Sequence, residues 1–338
     1  MHILKGYTKQ EISWMMYDWA NSAHSVIIVT LLPIFFDTVA GYTADSVSSM
    51  STWGYATSIA MLIVALAAPF LGVFGDIRGM RKKLFSFFML LGVAACAGMA
   101  FTPGMDFTSG PVAAGKVATL ILVLYIVSVI GFDASAIYYD AFLTDVTIED
   151  RMDKVSTMGY GLGYIGGSTI PLLIFLFMNL VGVPMLTCLA FVFGLTAVWW
   201  LAFSLPLLKN CEQTSGKPYE KGDVARSIKG VGTTIKEIIA NKPMLIYILS
   251  YFFYIDGVHT VISMATTYGT NLGLDSTGMM LALLLVQILG LPFCLLYIKC
   301  SEKFGARTMV GFGICVYMFI CIFAFFMNSL WQFWVVAG

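Results

Sequence analysis

The side chains of this sequence best able to do chemistry are aspartates that interrupt long apolar stretches. They are Asp18, Asp133, Asp140 and Asp256. An ionised aspartate near the centre of a bilayer costs about 2.5–3.5 kcal/mol on insertion scales, so it is protonated, hydrogen-bonded or exposed to a wet cavity. Asp133 and Asp256 lie deepest in their stretches, whereas the other two lie nearer an end. We therefore expect Asp133 and Asp256 above all to bind a proton or an ammonium group.

Polar neighbours at helical spacing accompany these carboxylates. Asn21 follows Asp18 by three residues, and His24 lies beside Asn21. His259 likewise follows Asp256 by three. Residues three or four apart share a helix face, and imidazole titrates near neutral pH, so the histidines are candidate proton relays and Asn21 a hydrogen-bonding group. The candidate proton- or substrate-binding residues are Asp18, Asn21, His24, Asp133, Tyr138, Asp256 and His259. The alternative is structural, since buried polar groups tie helices together at about 0.6 kcal/mol each. A metal site is not expected, because Asp256 and His259 supply two ligands at most.

The stretches that carry these residues are long enough to cross a membrane. Hydrophobic residues make up 59% of the chain and charged residues 11%, whereas soluble domains carry about 25% charged residues. A membrane helix needs about 20 apolar residues. The predicted spans are 13–36, 53–75, 84–103, 117–142, 156–180, 184–206, 244–269, 277–298 and 308–327, with another starting at 331. Because that last one is short, we expect the natural protein to be longer.

Basic residues alternate with the spans. The connections near 38–52, 104–116, 180–184 and 270–277 hold Lys116 as their single Lys or Arg, and the other eighteen of nineteen lie in the alternate segments. Positive charge marks the cytoplasmic side of a membrane protein, so the N-terminus is predicted to be cytoplasmic. The formal net charge is zero, which gives no reason to expect a nucleic-acid partner.

The longest polar stretch, 207–243, divides the spans into two sets. We predict an N-terminal six-helix bundle over 1–206, a cytoplasmic connector over 207–243 and a partial second bundle of about three and a half helices over 244–338. Apolar residues from Val224 to Ile239 recur at helical spacing between Lys and Arg. This pattern predicts a basic amphipathic helix on the membrane surface. A simple connector is the plainer interpretation of it, and a site for a regulatory partner is the alternative.

A short motif occurs after the second span and again after the eighth. Its acid, glycine and arginine match in register, as Asp76 with Glu302, Gly79 with Gly305 and Arg81 with Arg307. Such a repeat indicates two related six-helix halves. Gly75 and Gly79 permit a tight turn, and Asp76 can pair with a helix N-terminus or a neighbouring arginine, which would latch the cytoplasmic gate.

Segment 72–83, GVFGDIRGMRKK, resembles the signature of the major facilitator superfamily between its second and third helices. Segments 17–23 (YDWANSA), 256–258 (DGV) and 264–269 (MATTYG) resemble the vacuole-effluxer-like branch, whose fungal members are amino-acid effluxers linked to autophagy. The resemblance covers nearly the whole chain. It implies an all-α membrane protein with the major facilitator fold of two six-helix bundles, the second truncated here, in which helices one, four and seven line a central cavity.

The resemblance also implies a function. It is that of a secondary active transporter, not an enzyme, that moves a small polar solute such as an amino acid by alternating access without a cofactor. The carboxylates and histidines within the spans add the expectation of proton coupling. The transporter's partners would be the solute, protons and the lipid bilayer, in a bacterial-type inner membrane or in a vacuolar membrane if the source is fungal. The gating motif would comprise Gly72, Gly75, Asp76, Gly79, Arg81, Glu302, Gly305 and Arg307.

Two alternatives and one local pattern complete the interpretation. A non-transporting sensor or assembly factor on the same scaffold is the first alternative. An intramembrane aspartyl protease is the second, and it is disfavoured because no GxGD sequence lies in a neighbouring span. In the fifth span, Gly159, Gly163 and Gly167 follow one another every four residues, which predicts a close helix-packing face.

Overall fold

Helices make up most of the part of the protein that the structure, a computed structural model, describes. These residues are 6–43, 46–216, 218 and 223–337, without the side chains of 46–48, 223–229, 234, 263, 298, 301, 302 and 306. The first helices are α1 (Lys9–Ala40), α2 (Ser46–Gly75), α3 (Arg81–Met99) and α4 (Pro111–Val146). The next are α5 (Glu149–Gly163), α6 (Ile170–Leu180) and α7 (Met185–Asn210). The last are α8 (Asp223–Ala240), α9 (Lys242–Asn271), α10 (Ser276–Phe304), α11 (Ala306–Phe325) and α12 (Leu330–Ala337).

Nine of the helical segments in these ranges are long and apolar enough to cross a membrane. They correspond one to one with the nine complete spans predicted from hydropathy, which confirms the all-α membrane fold. Most begin earlier or end later than predicted. α1, for example, begins at Lys9 because Thr8 and Glu11 form a capping box: the Glu11 amide donates to Thr8 Oγ1 at 3.1 Å, and the Thr8 amide donates to Glu11 Oε2 at 2.7 Å.

The fifth span is one continuous element with an irregular centre. α5 and α6 are joined by a π-helical segment, Tyr164–Thr169, and segments of this kind occur frequently at functional sites. Added Cβ atoms on Gly159 and Gly163 would contact Asp18 and Ser22 of α1, and one on Gly167 would lie 2.9 Å from the Ser22 Cβ. The predicted close-packing face is therefore confirmed, and its partner is α1.

α1 lies at the centre of the first bundle. It packs against α4, α5 and α7, and most of its side chains are buried. α3 and α4 approach each other where Gly92 faces Gly131, because a Cβ on Gly131 would meet the Gly92 backbone. The carboxylate of Asp18 is thus carried by the most enclosed helix of this bundle.

The two copies of the repeated motif have the same backbone geometry at their glycines. Gly79 has φ +82° and Gly305 has φ +81°, a left-handed conformation that glycine adopts without steric cost. Each lies just before a membrane helix, α3 or α11. The connector also contains the helix expected there, since α8 covers Asp223–Ala240.

Candidate functional site

Asp18 has a tyrosine as its partner. Its side chain is 8% exposed, and the Tyr139 hydroxyl donates to Asp18 Oδ2 at 2.8 Å. Tyr139 is itself fixed by Trp14, whose indole stacks on the phenol ring at 4.3 Å and donates from Nε1 to the Tyr139 carbonyl at 2.9 Å. No basic side chain forms an ion pair with Asp18 in the described part of the chain.

A second hydrogen bond joins the same two helices. The Tyr17 hydroxyl and Ser135 Oγ lie 2.8 Å apart, and the Tyr17 ring lies 4.8 Å from that of Tyr139. Ser135 and Tyr139 lie four residues apart on one face of α4, so adjacent residues of α1 bind successive positions of that face. The sequence analysis identified Asp18 but not Tyr139, because hydropathy within one helix carries no signal for a partner on another.

His24 lies deeper in the bundle, in an apolar setting. It is 3% exposed, and its ring stacks on Phe132 at 4.8 Å and lies 5.2 Å from Trp200. Within the described ranges, neither ring nitrogen has a hydrogen-bond partner, and neither does Trp200 Nε1. Asn21, one turn before His24, is also buried. The structure thus encloses His24 among aromatic rings of α4 and α7 and does not hydrogen-bond it to Asp18.

The other candidates on α4 are distributed differently. Asp133 is half-buried and Asp140 exposed, and no hydrogen bond or ion pair of either is found among the described residues. Tyr138 is used for packing: its hydroxyl donates to the Leu71 carbonyl of α2 at 3.0 Å, and its ring would be 3.0 Å from a Cβ on Gly75. Tyr138 therefore ties α4 to α2.

Asp256 and His259 lie exposed on α9. Within the described ranges, no hydrogen bond or ion pair joins either of them to α1 or α4. The structure brings Asp18, Asn21 and His24 together along α1, but it does not bring the α9 pair into contact with them.

At the predicted gate, the buried cation is Arg81. Its Nη1 pairs with the carboxylate of Asp145, whose side chain is fully buried, and donates to the Ala141 carbonyl at 3.0 Å. Asp76, the carboxylate expected to act as a latch, lies 4.0 Å from Arg81 Nη2, and its side chain is 80% exposed. The strong partner of Arg81 is therefore Asp145 at the end of α4, which the sequence analysis did not identify.

Residues 211–216, here called the connector strap, bind this gate directly. Gln213 spans the α2–α3 turn: its Nε2 donates to the Gly75 carbonyl at 3.0 Å, and its Oε1 accepts from the Gly79 amide at 2.8 Å and the Arg81 amide at 3.3 Å. One side chain thus satisfies the Gly75 carbonyl and the Gly79 and Arg81 amides.

The connector strap also binds the side chain of Asp145 at the end of α4. Asp145 Oδ1 accepts from the amide and hydroxyl of Thr214 at 3.1 and 2.8 Å. It also accepts from the amide and hydroxyl of Ser215 at 2.9 and 2.8 Å. At the start of the strap, Lys82 Nζ donates to the Cys211 carbonyl at 3.1 Å. The strap, the α2–α3 turn and α4 therefore form one polar unit centred on Asp145.

The second copy of the motif is more open. Gly305 and Arg307 are exposed, no described ion pair includes Arg307, and the side chain of Glu302 lies outside the described residues. Gly72 of the first copy has open space around its Cβ position. The two copies therefore differ in the contacts of their side chains, whereas the backbone conformation of their glycine turns is the same.

Comparison with known proteins identifies the family. The family model described as "Vacuole effluxer Atg22 like" matches residues 41–151 and 144–338. An uncharacterized MFS-type transporter of Bacillus subtilis, YxiO, is 39% identical over 343 residues, which is 99% of this chain and 77% of that protein. Autophagy-related protein 22-1 of Penicillium rubens is 24% identical over 188 residues, covering 52% of this chain and 32% of the fungal protein.

Solved structures show the same fold at low sequence identity. The inward open conformation of the xylose transporter XylE from E. coli matches with a TM-score of 0.62 and 15% identity, over 97% of this chain and 79% of that one. A D-xylose-proton symporter matches with a TM-score of 0.55 and 15% identity, over 97% and 79%. The family match and the Bacillus relative, together with this fold, show that the chain belongs to the vacuole effluxer Atg22-like family and is a multi-pass membrane transporter of the major facilitator type.

Proposed function

We propose that this transporter moves a small zwitterionic or cationic solute, such as an amino acid, and that protons drive it. The observation that carries the proposal is Asp18, a buried carboxylate whose described partner is the neutral hydroxyl of Tyr139. A buried carboxylate is stable when protonated or when it faces a cation. A proton and a substrate ammonium group are the two cations that we propose for this position.

The distribution of basic side chains supports this proposal. Arg81 is taken by Asp145, and Arg151 Nη2 lies 2.9 Å from Glu11 Oε2. These pairs lie at helix ends, so the described arginines there are neutralised by acids of the same bundle. In the described part of the chain, the carboxylates inside the spans form no ion pair with a basic side chain, so a purely anionic solute would lack a cationic partner beside them there.

The proposed roles of the individual residues are those expected from the sequence. Asp18, Asp133 and Asp256 bind a proton or the ammonium group, and Asn21 donates a hydrogen bond to a polar solute. His24 and His259 relay protons, and Tyr138 holds α4 against α2 beside the pathway. Alternating access opens and closes the gate formed by the Gly79 and Gly305 turns. The N-terminus is proposed to be cytoplasmic because the basic loops lie on that side.

Uptake into liposomes tests the proposal. The full-length protein would be reconstituted and given a panel of labelled amino acids with and without a pH gradient, beside Asp18→Asn, Asp133→Asn and Asp256→Asn. Asp153→Asn, an exposed carboxylate on α5, is the matched control. We expect gradient-driven accumulation of at least one amino acid, lost in Asp18→Asn and kept in the control. Uptake that ignores the gradient and survives all three site variants would remove proton coupling, and no uptake of any amino acid would remove the substrate class.

A further inference from the structure

A small polar pocket lies at the end of the bundle opposite to the Gly79 turn. It is enclosed by α1, α2 and α9, and its polar lining comprises Asp37, Ser49, Thr267, Thr270 and Asn271. The free space at its centre is about 10 Å³, which is room for a single sphere of the size of a water molecule. The pocket is separate from the Asp18 site and from the gate.

The lining offers oxygen atoms. Asp37 is half-buried, and its Oδ1 accepts from Ser49 Oγ at 2.6 Å. Thr270 Oγ1 donates to the Thr266 carbonyl at 2.9 Å, so its lone pairs remain available. No Lys, Arg or His forms an ion pair with Asp37 among the described residues. This carboxylate therefore has no cationic partner in the described part of the chain.

Thr267 is the second, independent sign of a ligand. Its side chain lines the pocket and is 9% exposed, and its Oγ1 is buried with no hydrogen-bond partner among the residues that the structure describes. A buried hydroxyl left without a hydrogen-bond partner destabilises the folded state. A water molecule would satisfy this hydroxyl but would leave the Asp37 charge uncompensated, whereas a cation does both.

We infer that this pocket binds one Na⁺ ion. Carboxylate, hydroxyl and amide oxygens are hard ligands, which suit alkali and alkaline-earth ions and not softer transition metals. A single carboxylate balances a monovalent ion, and the space admits one small dehydrated ion. Unlike the proton proposed at Asp18, this ion lies at the opposite end of the bundle and does not depend on the proposed substrate.

The position of the ion gives it a conformational role. Asp37 and Ser49 belong to helices before the connector, whereas Thr267, Thr270 and Asn271 belong to α9 after it. An ion held by both sets stabilises the conformation in which these helix ends meet, because a ligand shifts an equilibrium toward the state that it binds. Na⁺ is therefore expected to favour closure of this end.

Thermal unfolding tests the inference without a transport assay. The full-length protein in detergent would be heated in NaCl, KCl or choline chloride at equal ionic strength. We expect a saturable upward shift of Tm in NaCl alone. The shift should vanish in Asp37→Asn and in Thr267→Val, and persist in Asp106→Asn, an exposed loop carboxylate.

The outcomes separate this inference from the proposed function. Equal Tm values in the three salts, or a Na⁺ shift unchanged in both pocket variants, would mean that the pocket holds only water. If Asp37→Asn does not fold, Thr267→Val alone decides the result. A Na⁺-specific shift together with failed proton-driven uptake would leave the ion site standing and overturn the proton proposal, and the reverse pattern would do the opposite.

Discussion

The Tyr139 hydroxyl and the Asp18 carboxylate, 121 positions apart in the sequence, meet at 2.8 Å inside the first bundle. Because Trp14 of α1 fixes the Tyr139 ring and backbone, the phenol has little freedom to leave the carboxylate. α1 and α4 are therefore joined at the carboxylate that we propose to bind a cation. A change in the charge of Asp18 would therefore act on α4 directly, through this hydrogen bond.

This contact predicts a measurable coupling. Tyr139→Phe and Asp18→Asn should be non-additive in their effect on the free energy of unfolding, by about 0.6–1.7 kcal/mol, the range found for polar contacts between membrane helices. A double-mutant cycle by detergent-induced unfolding measures this. Tyr17→Phe, which removes the separate contact with Ser135, should be more nearly additive with Asp18→Asn. Strict additivity of Tyr139→Phe with Asp18→Asn would contradict the assignment.

The gate pair should be sensitive to removal of one partner. Asp145→Asn leaves the Arg81 guanidinium buried without a counter-ion, and breaking a buried pair in this way costs about 3–5 kcal/mol. Asp76→Asn should change stability little, since Asp76 is largely exposed and 4.0 Å away. Unfolding of the two variants under the same conditions compares them. The double variant Arg81→Met/Asp145→Asn should recover much of the loss, because it removes the unpaired cation and keeps a side-chain oxygen for the donors of the strap; equal effects of the two single variants would show that Asp76 holds the gate.

The glycine face of the fifth span predicts contrasting alanine substitutions. A Cβ at Gly167 would run into the Trp19 carbonyl, a backbone atom that cannot move aside. We expect Gly167→Ala to cost about 1–3 kcal/mol, as overpacking does. Gly72→Ala is the control, because nothing lies within 4 Å of its Cβ position, and it should be neutral or stabilising by up to about 1 kcal/mol. Thermal denaturation of both checks this, and a neutral Gly167→Ala would mean that α1 and the fifth span are not in close contact.

His24 should be replaceable without loss of stability. Two buried ring nitrogens without partners penalise the folded state, and their replacement by an apolar group of similar size is nearly neutral or stabilising. We therefore expect His24→Leu to unfold at the same temperature as the wild type or higher. Proton-driven uptake should nevertheless fall, given the relay role proposed for His24. A marked drop in Tm would reveal a hidden partner such as a bound water.

Cys211 reports whether the connector strap is in place. Burial raises the pKa of its thiol to about 11, against the opposing effect of Lys82. At pH 8 about one thiol in a thousand is then ionised, and the thiolate is the reactive form. In a variant whose other cysteines are serine, maleimide should label folded protein slowly at pH 8, faster as pH rises toward 11, and rapidly after denaturation. Fast labelling of folded protein at pH 8 would show that the strap is displaced.

Hydropathy predicted the spans because their apolar windows are long and hold few charged residues. It misplaced their ends because polar residues such as Thr8 and Glu11 continue the helix through hydrogen bonds that an apolar window does not register. The glycine spacing of the fifth span predicted its packing face, but it did not predict the π-helical centre. Patterns within one helix therefore predicted the features that depend on that helix alone, namely its span and its packing face.

The contacts between helices were less accessible. Asp145 and Tyr139 lie on α4 and match no motif, so neither could be paired with Arg81 or Asp18 before the fold was known. Asp256 was predicted to lie deep in its span, but it is exposed on α9 in the described structure. The depth of a residue along a helix does not determine which way that helix faces.

The connector strap changes where the protein can be divided. Its residues follow α7 in sequence, but Gln213, Thr214 and Ser215 bind the α2–α3 turn and the end of α4. A split-gene version cut directly after α7 would remove these groups from the fragment that they stabilise. The cut belongs after Gly216, where two independently expressed pieces would each keep the partners of their own polar groups.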